Sequence, residues 1–126
     1  MNNILEYLEE AAALYPEKKA VGDRDNSYTF KTLRDCARSL AYIIDSRSPE
    51  GEPVGVVAER SAETIMFYMA IAYSGRAYVP LDPAAPAEKL GKIASNASLK
   101  LILGPESSRE HILTVGEDIA FLAPDN

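Results

Sequence analysis

Residues 54–83 decide the fold class and read VGVVAERSAETIMFYMAIAYSGRAYVPLDP. The opening run, 54–58, is continuously apolar, which is typical of a strand covered on both faces. Ser61 can cap a following helix, and Gly75 suits the left-handed end of that helix. The apolar positions that identify the helix include Ile65, Met66, Met69 and Ala72. Residues 77–79 are then predicted as the next strand, so the stretch predicts one strand–helix–strand unit of a parallel sheet.

The chain beyond this stretch repeats the same alternation. Pro86 fits the first turn of another helix, whose inward positions are Leu90, Ile93 and Ala94. Residues 99–103 are strand-like, 107–113 predict a short helix, and 119–122 predict a last strand. The sequence therefore predicts a three-layer α/β architecture with an open, largely parallel sheet over residues 53–126.

The chain before this stretch has a different order of predicted elements. Asn3 and Glu6 form a capping-box pattern, and Pro16 ends the helix that follows. Residues 19–22 and 27–28 predict a hairpin around the polar turn 23–26, and 46–53 predict a loop. Thr29 is a plausible cap for a second helix. The predicted apolar faces are Ile4, Leu5, Leu8, Ala12 and Tyr15 on the first helix, and Leu33, Ala37, Leu40, Ala41 and Ile44 on the second. Residues 1–52 are thus a small helix-hairpin-helix portion.

Composition excludes several classes of protein. The 126 residues are 47% hydrophobic and 25% charged, which is the composition of a globular protein. The net charge is −6, and the sequence lacks the basic face that nucleic-acid binding requires. Cys36 is the sole cysteine, so no intrachain disulfide can form. Residues 1–10 lack the basic start of a signal peptide, and the longest apolar run, 65–73, is too short to span a bilayer. These observations predict a cytoplasmic protein with no nucleic-acid or membrane partner.

No catalytic or ligand-binding residue can be assigned from the sequence. The seven glycines form no phosphate-binding loop. His111 is the only histidine and is interpreted as a surface residue, because its neighbours Ser107, Ser108 and Glu110 are merely adjacent in the chain. A metal site from His111, Glu106, Glu110, Glu117 and Asp118 is disfavoured for lack of nitrogen and sulfur ligands. Cys36 is expected as a small buried residue, the Glu9–Glu10 pair as a solvated helix face, and Met66 and Met69 as core filler.

Two stretches resemble the first two core motifs of adenylation domains, in the superfamily of acyl-CoA synthetases, luciferases and nonribosomal peptide synthetases. The first motif usually reads Leu-Thr-Tyr-x-Glu-Leu before an Ala-x-x-Leu-Ala helix, and its counterpart here is Tyr28-Thr29-Phe30-Lys31-Thr32-Leu33 with Ala37 and Leu40-Ala41. Thr32 replaces the usual glutamate.

The second motif, Lys-Ala-Gly-x-Ala-Tyr-Val-Pro-Leu-Asp-Pro, is the stronger match. Its counterpart is Ser74-Gly75-Arg76-Ala77-Tyr78-Val79-Pro80-Leu81-Asp82-Pro83, followed by Pro86 and Glu88-Lys89-Leu90. Tyr73 departs from the motif's lysine and Ser74 from its alanine. The resemblance extends from about residue 5 to residue 103.

The residues of this motif suit structural roles. Gly75 can end a helix, Tyr78 and Val79 are expected as a short buried strand, and Pro80 and Pro83 would stiffen the exit from the sheet. Asp82 can accept hydrogen bonds from nearby backbone N–H groups in a turn. The motif thus identifies the family without performing its reaction.

The resemblance implies an ATP- and Mg²⁺-dependent parent enzyme. In that family a carboxylate attacks the α-phosphate of ATP, and a carrier's phosphopantetheine thiol or coenzyme A then takes the acyl group. The motif wording favours amino-acid activators, such as peptide synthetase modules and D-alanine–carrier-protein ligases, over coenzyme A ligases. Family members carry their phosphate loop, ribose-binding aspartate and adenylation lysine downstream of position 126. The chain is therefore expected to be an inactive N-terminal fragment that binds no cofactor and shows some self-association.

Two other interpretations remain open. The chain could be a complete small α/β binding or interaction module that kept the scaffold without the reaction, or a fragment of an acyl-CoA synthetase. A reading frame that continues into a Thr/Ser/Gly-rich run ending in Pro-Lys-Gly would favour the enzyme, and a stop codon would favour the module. A nucleotide-binding flavodoxin-like fold is disfavoured because no Gly-rich or Ser/Thr-rich first loop is present.

Overall fold

Five helices and six strands alternate along the chain in a computed structural model that describes residues 3–24, 26–48, 51–116 and 118–123. Asp25 of the predicted turn, Glu117 of the metal candidates, residues 49–50 of the loop, residues 124–126 and the side chain of Asn3 lie outside the described residues. The elements are α1 (Asn3–Leu14), β1 (Lys19–Gly22), β2 (Ser27–Thr29), α2 (Phe30–Arg47), β3 (Val54–Val57), α3 (Ala62–Tyr73), β4 (Tyr78–Leu81), α4 (Ala87–Asn96), β5 (Leu101–Leu103), a 3₁₀ turn (Glu106–Ser108), α5 (Arg109–Leu113) and β6 (Ala120–Leu122).

The main sheet confirms the predicted three-layer α/β fold. Its four strands are parallel in the order β4-β3-β5-β6, and β1 pairs with β2 in a separate antiparallel hairpin. Val54 and Val56 of β3 face the side of the sheet that α2 and α3 cover, whereas Val57 faces α4 and α5. Helices α3 and α4 lie on opposite faces because their crossovers run in opposite directions along the sheet and right-handed crossovers then place their helices on opposite sides.

Helix α2 buries the predicted face, made of Leu33, Ala37, Leu40, Ala41 and Ile44. Thr29 caps it as expected: its Oγ1 accepts the Thr32 N–H at 3.1 Å, and Thr32 Oγ1 accepts the Thr29 N–H at 2.8 Å. Thr32 occupies the position where the motif has glutamate, so a hydroxyl supplies the reciprocal half of the capping box.

The predicted faces of the other two helices on this side are only partly correct. On α1, Leu8 and Ala12 are buried, but Ile4 and Tyr15 are exposed. On α3, Met66 is buried as core, but Ile65 is exposed, and the inner face is formed by Phe67, Ala70 and Ile71. Nearly every position of α3 is apolar, so periodicity could not select its buried side.

Strand β4 differs from the prediction and lies at the edge of the sheet. It spans Tyr78–Leu81 instead of 77–79, so Pro80 lies within the strand. The Val54 N–H donates to the Ala77 carbonyl at 3.0 Å, and the Ala58 N–H donates to the Leu81 carbonyl at 2.8 Å. Because backbone groups alternate in direction along a strand, those of Pro80 point toward the open edge. Proline has no N–H to donate, and an edge strand is one of the few places in a sheet that tolerates it.

Tyr78 is 50% exposed and therefore not buried as the motif suggested. Its ring contacts Tyr68 of α3, with the two ring centroids 4.4 Å apart. An edge strand has a neighbouring strand on one side only, so its other side is open to solvent. The contact between Tyr68 and Tyr78 covers part of that open side.

The end of α3 confirms the prediction for Gly75. The Gly75 N–H donates to the Ala72 carbonyl at 3.0 Å and the Arg76 N–H to the Ile71 carbonyl at 3.3 Å, which is the Schellman pattern. Gly75 has a φ of +75°, the left-handed conformation that this pattern requires.

Substitution of Gly75 by valine is expected to lower the free energy of unfolding by about 1–3 kcal/mol, because a β-branched side chain strains the left-handed region. A Cβ at this position would meet nothing within 4 Å, so the effect should come from the backbone alone. Denaturant melts test this, with Gly75→Asn expected to lose less. Gly91→Ala, inside α4, should instead stabilise by about 0.5–1 kcal/mol. A Gly75→Val variant as stable as the parent would contradict the cap.

Candidate functional site

The usual ligand position in an open α/β sheet is the point where the strand order reverses. Here the connection after β3 leads to one edge and the connection after β5 leads to the other, so the reversal lies between these two strands. A groove of about 370 Å³ opens at their carboxyl ends and is lined by Asp23, Arg24, Asn26, Glu59, Arg60, Ser61, Glu63 and Pro105.

The N-terminus of α3 lies at this groove, and two of its backbone donors are engaged. The Thr64 N–H donates to Ser61 Oγ at 3.1 Å, which confirms Ser61 as the cap. The Ala62 N–H donates to Asp23 Oδ2 at 2.6 Å, and the other Asp23 oxygen accepts the Asn26 N–H at 2.9 Å. The turn of the β1–β2 hairpin thereby anchors itself on α3. A helix N-terminus attracts anions, and here the Asp23 carboxylate already fills that role.

The groove is lined by charges of both signs, the carboxylates of Asp23, Glu59 and Glu63 and the guanidinium groups of Arg24 and Arg60. Burial, followed by the nearby carboxylates of Glu59 and Asp23, raises the pKa of Glu63. At this groove Asp23 joins the hairpin turn to α3.

The residues of the second motif make structural contacts. Asp82 Oδ1 accepts the Ala84 N–H at 2.9 Å, as the turn chemistry predicted. Arg76 is 4% exposed, pairs with Asp45 and donates to the Ser48 carbonyl at 3.1 Å. It thereby ties the start of β4 to the end of α2. This anchoring role of Arg76 could not be inferred from the sequence, where the arginine occupies the variable position of the motif.

The motif's departure at Tyr73 has a local explanation. The Tyr73 hydroxyl donates to Glu9 on α1, and the other Glu9 oxygen accepts from Arg38 on α2 at 2.6 Å. Burial and then the hydrogen bond to Glu9 raise the pKa of Tyr73 to about 12. Glu9 is therefore a joint between three helices and not the solvated residue that the sequence suggested, whereas Glu10 is exposed.

His111, the remaining histidine candidate, makes a structural contact. The half-buried His111 lies with Nε2 2.8 Å from the Ala85 carbonyl and holds α5 against the loop before α4. No three metal-ligating side chains come together within the described part of the chain.

The prediction for Cys36 is wrong, because its side chain is exposed. The buried face of α2 is centred on Leu33, Ala37 and Leu40, so Cys36 lies at the flank of that face. Partial desolvation and then the Asp35 carboxylate raise the pKa of the Cys36 thiol, which disfavours a reactive thiolate.

Comparison with known proteins identifies the family to which this fold and motif belong. The chain belongs to the AMP-binding enzyme family, which it matches over residues 8–122. It is 34% identical over 101 residues to a D-alanine–D-alanyl carrier protein ligase of Bacillus cereus (strain B4264), covering 79% of this chain and 20% of that ligase. It is also 29% identical over 119 residues to gramicidin S synthase 2 of Brevibacillus brevis, covering 94% of this chain and 3% of that synthase.

Solved structures show the same fold. The nonribosomal peptide synthetase FmoA3 in its α-methyl-L-serine-AMP bound form superposes with a TM-score of 0.85 at 24% identity, over 94% of this chain and 13% of that chain. IdnL1 superposes with a TM-score of 0.81 at 27% identity, over 95% of this chain and 25% of that chain. The chain thus spans a quarter or less of each of these proteins. Among the described helices, none has the length and apolar character needed to cross a membrane.

Proposed function

We propose that residues 1–126 are the N-terminal part of the adenylation domain of an ATP-dependent, amino-acid-activating ligase. Residues 1–52 form its helix-hairpin-helix portion and residues 53–126 its parallel α/β portion. The observation that carries the proposal is the second motif, which folds as a helix end, an edge strand and an Asp82 turn inside a chain that matches the AMP-binding family over residues 8–122.

The role of this portion is to build the scaffold, and no residue of it is assigned to catalysis, cofactor binding or metal binding. The occupied helix N-terminus at the groove supports this assignment, because a nucleotide would have to displace Asp23 from the Ala62 N–H. ATP and Mg²⁺ are therefore bound by residues outside the chain. An amino acid is the favoured substrate and a carrier thiol the favoured acceptor, because the relatives include a D-alanine–D-alanyl carrier protein ligase. Such a protein would work in the cytoplasm.

The isolated chain is expected to catalyse no amino-acid-dependent ATP–pyrophosphate exchange. Phosphoryl chemistry depends on donors and metal ions arranged around the transition state, and the described residues arrange none. The assay would use the 126-residue chain with D-alanine and the common amino acids, and the intact B. cereus D-alanine ligase as positive control. Exchange clearly above background would contradict the scaffold role and place catalytic groups in the chain.

A chimera tests the parent function directly. Residues 8–122 would replace the matching segment of the B. cereus ligase, and D-alanine-dependent exchange would be measured. We expect the chimera to retain activity, and the same chimera with Gly75→Val to lose part of it through reduced stability. A chimera that folds, as judged by circular dichroism and a cooperative melt, yet shows no exchange would favour the alternative of a small binding module.

A further inference from the structure

Helix α1 is attached to the rest of the fold by little apolar surface. Over the part of α1 that the structure describes, the buried hydrophobic side chains are Leu8, Ala11 and Ala12, and only Leu8 belongs to the main hydrophobic cluster. Helix α3, by contrast, contributes large side chains such as Phe67 and Ile71 to that cluster. An alanine removes little apolar surface from water, so burial holds α1 in place more weakly than it holds α3.

A group of polar contacts, which we name the Glu9 joint, ties the middle of α1 to both neighbouring helices. It consists of Glu9, Arg38 of α2 and Tyr73 of α3. One Glu9 oxygen accepts from Arg38 at 2.6 Å, and the other accepts from the Tyr73 hydroxyl. The Arg38 guanidinium also lies 5.7 Å from the centre of the Tyr73 ring. Hydrogen bonds to a charged group are stronger than neutral ones, so the Glu9 joint supplies much of the attachment of α1.

The Glu9 joint can open readily, because its charges lie near solvent. The Glu9 side chain is 34% exposed and the Arg38 side chain is 53% exposed. Both groups regain water when they separate, whereas opening a pair enclosed in the core would leave unpaired charges behind. The same exposure makes the pair sensitive to salt, which screens exposed charges.

The chain that follows α1 is held differently, by backbone hydrogen bonds to the start of α2. The Lys31 N–H donates to the Pro16 carbonyl at 3.1 Å, and the Phe30 N–H donates to the Lys18 carbonyl at 3.0 Å. These bonds involve no residue of α1, so they can persist when the helix leaves its place. A helix of 12 residues is marginally stable by itself in water, so a released α1 would lose its internal hydrogen bonds.

We propose that α1 is a strap that opens while the rest of the fold stays intact, with the Glu9 joint as its latch and the segment after Pro16 as its fixed end. The proposal does not rest on the adenylation function. Opening uncovers the side of α2 and α3 against which Leu8 packs, and higher ionic strength favours the open form. Elements with few buried apolar contacts are the ones that open locally in native proteins.

Amide hydrogen exchange of the 126-residue chain, measured residue by residue by NMR, tests the proposal. Relative to their intrinsic rates, the amides of Ala11 and Ala12 should exchange at least about tenfold faster than those of Ala70 and Ile71 in the core of α3, because they require only local opening. Equal protection of the two helices would show that α1 opens only when the whole chain unfolds, and would overturn the proposal.

Glu9→Gln and Glu10→Gln form a matched pair of variants. Each removes one negative charge and keeps the shape of the side chain, and Glu10 is exposed on the same helix. An amide has one acceptor oxygen where a carboxylate has two, so Glu9→Gln should speed α1 exchange about tenfold, whereas Glu10→Gln should leave it unchanged. Circular dichroism melts would establish that both variants fold. An equal effect of the two variants would overturn the Glu9 joint as the latch.

Salt provides a second measurement of the latch. Raising sodium chloride from about 0.1 M to about 1 M shortens the screening length from about 10 Å to about 3 Å. It should speed α1 exchange about threefold in the parent chain and in Glu10→Gln, and much less in Glu9→Gln, where the ion pair is already lost. The same salt response in all three proteins would contradict the ionic latch.

A core variant on the far side of the sheet distinguishes local from global opening. Ile102 is fully buried against α4 and α5, in the hydrophobic cluster that α1 does not touch. Ile102→Val should speed the exchange of the α3 amides by about threefold to tenfold, because it destabilises the folded sheet. It should leave α1 exchange unchanged, because the open strap keeps the sheet folded. An equal rise of exchange in α1 and α3 would overturn the strap.

Discussion

Replacement of Phe67 by alanine is expected to lower the free energy of unfolding by about 3–5 kcal/mol, the usual loss when a fully buried aromatic side chain is truncated. Phe67 is fully buried in α3 and belongs to the cluster that joins α2, α3 and the sheet. Because a domain of this size is stable by only about 5–15 kcal/mol, the variant should be close to unfolding at 37 °C. Urea denaturation followed by circular dichroism would measure the change.

Two variants control this measurement. Phe67→Leu keeps most of the volume and should lose less than half as much as Phe67→Ala. Phe30→Ala removes the same ring from a half-buried position at the edge of the same cluster, and should therefore cost clearly less. If Phe67→Ala and Phe30→Ala lost equal stability, the buried position of Phe67 at the centre of the α2–α3 contact would be wrong.

Replacement of Arg76 by alanine is expected to cost about 2–3 kcal/mol, because a buried carbonyl loses a charged donor and the side chain leaves a gap. Arg76 is 4% exposed and donates to the Ser48 carbonyl, while its partner Asp45 is 57% exposed. Asp45→Ala should lose less than Arg76→Ala, since it removes the half-exposed carboxylate and leaves the hydrogen bond from Arg76 to the Ser48 carbonyl in place.

Arg109 offers a matched control for Arg76. It forms an ion pair with Glu106 at 2.6 Å, but both side chains are well exposed. Arg109→Ala should therefore cost no more than about 1 kcal/mol, as is usual for surface pairs. Denaturant melts of the three variants would rank them. An Arg76→Ala variant no less stable than Arg109→Ala would show that the buried anchor does not hold the start of β4.

The order of elements could be predicted because each signal is local. The caps at Thr29 and Ser61, the left-handed Gly75 and the period of α2 depend on residues within a few positions of one another. The stop after α1 at Pro16 is of the same kind. These features follow from backbone sterics and from short-range hydrogen bonds, which operate before any distant part of the chain is in place.

The errors occur where a residue's surroundings come from distant parts of the chain. Tyr78 was predicted as buried because its motif is apolar, but β4 lies at the sheet edge and leaves it half exposed. Glu9 was predicted as solvated because α1 is polar at that position, but Arg38 and Tyr73 meet it from two other helices. Cys36 was placed on the buried face by an error of one position, which turns a helical side chain by about 100°.

The switch-point groove could not be predicted from the sequence. Its lining comes from the hairpin turn at Asp23, the loop after β3 and the loop after β5, segments that only the strand order brings together. A signal was nonetheless present: Asp23 and Asn26 lie in a predicted turn, where a carboxylate is free to reach a neighbouring helix. Its target, the Ala62 N–H, is 39 residues further along the chain.

The sequence by itself determined the α/β class, the helix ends and the family, because periodicity, capping residues and the second motif are properties of neighbouring positions. Only the tertiary structure decided which side of the largely apolar α3 is buried, which strand lies at the edge, and that Asp23 accepts the Ala62 N–H at the start of α3. It also decided that α1 keeps a second apolar side uncovered. Burial and charge pairing depend on which distant segments meet, and that is set by the packing of the whole sheet and its helices.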